Sequence, residues 1–64
     1  MKRFRIQIYD KSMKNLLKEY EDTFVTGLHA LSVAFGYSSP DVFVFLLRQN
    51  ERNEHVWSIV AKFY

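Results

Sequence analysis

The strongest constraint on this chain is the run Val42-Phe43-Val44-Phe45-Leu46-Leu47, six consecutive apolar residues with no polar alternation. A strand of this kind carries large apolar side chains on both faces of its sheet, so both faces call for cover. The chain has only 64 residues and no cysteine with which to provide that cover. A domain this short buries about 60% of the surface its unfolded chain exposes, which leaves it marginal without reinforcement. Disulfides and cysteine-based zinc sites are excluded, so good packing and self-association are the remaining routes to stability.

The flanking segments say what could pack against that run. Residues 3–9 alternate, with Phe4, Ile6 and Ile8 on one face and Arg3, Arg5, Gln7 and Tyr9 on the other, which predicts a strand. Asp10-Lys11-Ser12 then supplies turn formers. Residues 13–25 admit two readings. Met13, Leu16, Leu17, Tyr20 and Phe24 recur at helical spacing, with Ser12 as a cap. Alternatively Asp10 to Asn15 is a hairpin connection and Leu16 to Val25 returns as a second strand, with Leu16, Tyr20 and Phe24 on one face. The β-branched and weakly helical run Tyr20–Thr26 favours the hairpin.

Residues 26–36 predict the main helix, with Thr26 as N-cap and Leu28, Leu31 and Phe35 as its apolar stripe. Gly36 stands where a left-handed C-terminal residue is expected, and Tyr37 would fold back onto the last turn. Ser38-Ser39-Pro40-Asp41 stops the helix, and residues 42–49 form the two-sided strand. Asn50–Glu54 reads as a polar hairpin loop. Residues 55–63 return as a last strand, with Trp57, Ile59, Ala61 and Phe63 on one face and Val56, Ser58, Val60 and Lys62 on the other.

The fold class that follows is α+β: one domain over residues 1–64, a small antiparallel sheet of three to four strands and one principal helix. The order is ββαββ, or βααββ if residues 13–25 are helical. One helix of about three turns spans on the order of 16 Å and shields one face of a small sheet. The second face must meet residues 13–25 folded as a helix, a second copy of the chain, or another partner.

Candidate chemistry is sparse. His29 and His55 have no second ligand at metal spacing, and Ser32, Ser38, Ser39 and Ser58 lack a positioned base or a glycine-framed elbow. Gly27 and Gly36 do not frame a phosphate loop. We therefore expect no enzyme, no metal and no cofactor. Met1-Lys2-Arg3 is followed by alternation instead of an apolar stretch, which predicts neither an export signal nor a membrane span and points to the reducing cytoplasm.

The formal charge of +2 is too small to argue for nucleic acid by itself. Its placement does suggest an alternative. Arg3, Arg5 and Tyr9 share a strand face and Trp57 lies on a neighbouring strand, a basic and aromatic surface of the sort that stacks single-stranded bases. The primary expectation is a protein partner met by Phe43, Phe45, Trp57 and Lys62, with the chain a homodimer.

The order hairpin, short helix, Gly-Tyr, acidic turn and strand loosely resembles the small dimeric phage inhibitors of uracil-DNA glycosylase. The likeness rests on the turn from Asp10 to Asn15, on Tyr20, and on Gly36-Tyr37 through Asp41-Val42. Those inhibitors are acidic and this chain is basic, so their DNA-mimic mechanism does not carry over. The wider class of very small, cysteine-free phage and mobile-element proteins that disarm a host machine, anti-CRISPR proteins among them, fits the size and the missing chemistry.

Overall fold

The computed structural model describes residues 2–64; Met1, the first residue of the basic start, lies outside them. The elements are β1 (Lys2–Asp10), β2 (Leu16–Phe24), α1 (Gly27–Gly36), β3 (Val42–Gln49) and β4 (Trp57–Phe63). All strand pairs are antiparallel and the sheet order is β2-β1-β3-β4. The ββαββ reading therefore holds, and residues 13–25 are not a helix.

The hairpin connection closes where its turn formers stand. The Asp10 N–H donates to the Asn15 carbonyl at 3.1 Å, and the Asp10 carboxylate accepts from the Ser12 hydroxyl at 2.7 Å and the Asn15 amide at 2.6 Å. These bonds hold the Asp10 carboxyl below its ordinary range, the Ser12 bond contributing most. Met13, at φ 63°, occupies the left-handed region in this turn.

Two irregularities in register correct the expected faces. Ile8 pairs with Lys18 but Tyr9 pairs with Leu16, so Leu17 is an extra residue. Leu16 consequently falls on the face opposite Tyr20 and Phe24. In the β3–β4 pair, Leu46 faces Ala61 and Leu47 faces Ile59, so Val60 is extra. The bulge breaks the strict alternation expected of the last strand: Trp57, Ile59 and Lys62 share one face, and Ser58, Ala61 and Phe63 share the other. That strand also starts two residues later than expected, because His55 and Val56 belong to the loop. There the Asn50 side chain accepts from the Arg52 and Asn53 N–H groups.

The core lies between α1 and the two central strands. Phe4, Ile6 and Ile8 from β1, Val44 and Leu46 from β3, and Ala30 and Ala34 from α1 are all buried. Thr26 caps the helix as expected, its hydroxyl accepting from the His29 N–H at 3.1 Å. The stripe is not the expected one. Bulky strand residues fill the space below the helix, so the helix presents its small residues and approaches closely. Leu28, Leu31 and Phe35 are left exposed, Leu28 by 76% and Phe35 by 64%. Gly36 is not left-handed either: among the described residues no glycine has a positive φ, and Tyr37 closes the helix at φ −90°.

Candidate functional site: the open face of the sheet

Packing of α1 on β3, β1 and β2 covers one face of the sheet. The opposite face carries no further secondary-structure layer among the described residues. Pairing places on it Arg3, Arg5, Gln7 and Tyr9 from β1, Thr23, Glu21 and Glu19 from β2, Phe43, Phe45 and Leu47 from β3, and Trp57, Ile59 and Lys62 from β4. Every residue expected to meet a partner is here, on either reading of the sequence. Period-2 alternation on β1 and the two-sided run on β3 bring them together, and the bulge at Val60 turns Lys62 to the same side as Trp57.

The face divides into two halves. On β1 and β2 it is an ion-pair lattice. Glu21 takes Arg3 on one oxygen at 2.8 Å and Arg5 on the other at 2.6 Å. The Arg5 Nε lies 3.0 Å from Glu19, which also accepts from the Gln7 amide. Hydrogen bonds from Arg3 first and Arg5 second hold the Glu21 carboxyl below the usual glutamate range.

On β3 and β4 the face is aromatic. Tyr9 meets Phe45 edge to face with centroids 5.6 Å apart, and Phe43 meets Tyr64 at 5.2 Å. Phe45 is 9% exposed although no second layer covers it, because its neighbours on the same face enclose it. Arg5 ties the halves together, its guanidinium lying 4.1 Å from the centre of the Trp57 ring, and Lys11 sits 4.4 Å from that of Phe43.

These contacts bear on what the face can bind. Arg3 and Arg5 are already matched by carboxylates, and the chain's own cations occupy ring faces of Trp57 and Phe43. Phosphates would have to displace Glu21, and bases would have to displace Arg5 or Lys11. A protein surface makes no such demand. Aromatic side chains and arginine, held in place beforehand, are what protein interfaces concentrate.

Alternation on β1 alone does not reveal the pairing of Arg3 and Arg5 with Glu19 and Glu21, which depends on the hairpin register. Odd-numbered acids opposite odd-numbered arginines across a hairpin were the available signal. Sequence reasoning missed the exposed flank of α1, which no local pattern reveals. Comparison with known protein families, curated proteins and solved structures gives no significant match.

Proposed function

We propose that this protein is a non-catalytic protein-interaction module acting in the cytoplasm, whose open sheet face docks on another protein. The observation that carries the reading is the uncovered aromatic half of that face, with Arg5 fixed over Trp57. A fully solvated sheet face needs no such cluster, and contiguous apolar surface on a small protein marks a place of contact. Phe43 and Trp57 are the anchors, Phe45 supports them from below, and Lys62 lies at the rim. Inhibition of a host machine, in the manner of anti-CRISPR proteins, is the role best suited to a chain that offers surface without an evident reaction centre.

Co-purification from bacterial cells tests this. The wild-type chain should retain a specific protein, whereas Trp57→Ser combined with Lys62→Glu should lose it while keeping its far-ultraviolet circular dichroism. Retention of nucleic acid alone, abolished by Arg3→Ala with Arg5→Ala and by moderate salt, would replace this reading with single-strand binding.

A further inference from the structure

A second surface lies outside the open face, on the helix side of the sheet between α1 and the edge strand β4. Leu31 and Val60 line a cleft of about 270 Å³ there, floored by Phe4 and Leu46, with Lys2 and Arg48 also on its wall. Phe35 reaches Phe63 at its other end, with ring centroids 5.6 Å apart. Leu28 lies on the same flank of the helix, three residues before Leu31. Among the described residues β4 pairs on one side only, so the outer backbone groups of Trp57–Phe63 are available to a further strand.

We propose that a second copy of this chain occupies this surface, β4 pairing antiparallel with β4 about a twofold axis to give an eight-stranded sheet. Both helices then lie on one face, and their Leu28-Leu31-Phe35 flanks close over the joined edges. The proposal rests on the interaction-module reading and adds an assembly that displays two open faces side by side.

Three observations select a second copy. The first is area. Leu28, Leu31, Phe35, Val60 and Phe63 are all partly or largely exposed along this edge on the helix side. At roughly half the area of a full-sized apolar side chain apiece, they offer on the order of 500 Å² per chain. A stable interface needs about 800 Å² from each partner, and the paired backbones supply the rest.

The second is charge. Lys62 is the single charge in Trp57–Phe63, and Arg48 on the adjoining strand is matched by Glu51 at 2.9 Å. Antiparallel pairing centred on Val60 and Ala61 sets the two Lys62 about three residues apart along the strands, about 10 Å, where repulsion is largely screened.

The third is shape. An isologous contact requires a patch that fits its own copy, and the bulge puts Val60 and Ala61 on the helix side of both chains, where each can meet the other. The small core, seven buried apolar residues among those described, gains most from this added burial.

Sedimentation equilibrium of the purified chain, without any partner, tests the assembly. The expected mass is twice 7.7 kDa at micromolar concentration. Val60→Lys and, independently, Leu28→Glu should each raise the dissociation constant at least tenfold with the circular dichroism unchanged, whereas Lys18→Glu on the opposite edge should leave it unaltered. A 7.7 kDa particle throughout the micromolar range, or a dimer indifferent to both substitutions, would overturn the proposal. Either result leaves the co-purification experiment to decide the open face separately, since Leu28 and Val60 are not on it.

Discussion

The two edges of the sheet, β2 and β4, solve the same physical problem in different ways. Both present unpaired backbone to solvent, which invites a further strand. In nine residues β2 carries Lys18, Glu19, Glu21 and Asp22, and charge of this density discourages strand addition. Its helix side holds a smaller cleft, about 200 Å³, between Phe4, Tyr20, Phe24, Val33 and Tyr37, and aromatic pairs narrow it. Tyr20 stacks on Tyr37 at 5.0 Å, and Phe24 meets His29 at 5.2 Å edge to face. β4 has one charge in seven residues, and its helix side opens into the cleft beside Leu31. Protection concentrated on one edge marks the other as the place where contact is made. The helix produces the asymmetry, because its seat lies over β1, β3 and β2.

That seat is the most sensitive point. Ala30 and Ala34 are fully buried between helix and strands. Ala34→Leu should force the helix off the sheet and cost about 1–3 kcal/mol, read from denaturant unfolding. If the loss is much smaller, the helix re-seats readily and the edges are less different than they look.

A smaller effect should separate the edges by concentration. If β4 joins two copies, the thermal midpoint rises with protein concentration. Val60→Lys should abolish that dependence, and Lys18→Glu should not.

On the charged side the expected effect is a change in pH response. Asp10 and Glu21 both have carboxyls held below their ordinary range in the folded chain. Their stabilisation is complete above the unfolded carboxylate range, near pH 4, and is lost as pH falls through the lower folded values. Glu21→Gln should flatten the acid limb of the stability profile, and Asp10→Asn should flatten it independently. Urea titrations between neutral and acidic pH would show both.

The smallest effect expected is a gain. Met13 adopts a left-handed conformation that a side chain disfavours, so Met13→Gly should stabilise the turn by about 0.5–1 kcal/mol. A loss in denaturant titration would mean that the half-exposed methionine packs usefully beside β2.

Much of the candidate site was legible before the fold was known. Arg3, Arg5 and Tyr9 fall on one face because a strand alternates, and Phe43 and Phe45 join them on the next strand. Residue parity hinted that Glu19 and Glu21 lie opposite those arginines, but it did not fix the pairing, since a hairpin register depends on its turn. Local patterns gave no warning that the leucines of α1 point away from the sheet. Helical periodicity identifies an apolar stripe but does not say whether large or small residues meet the strands.

By itself the sequence determined the first strand, the Thr26 cap of the main helix, the two later strands and the need of β3 for cover on both faces, and it favoured the hairpin around Asp10 and Asn15 over a helix there. These are local matters of alternation, capping and turn chemistry. Tertiary structure decided the order β2-β1-β3-β4, the bulges at Leu17 and Val60, and the seating of α1 on its alanines. Each depends on how distant segments fill one space: an extra residue in a ladder reverses every face beyond it, and bulky strands admit only a small-sided helix. The undefended edge at β4 is a product of that second set, and so is the surface assigned here to a second copy.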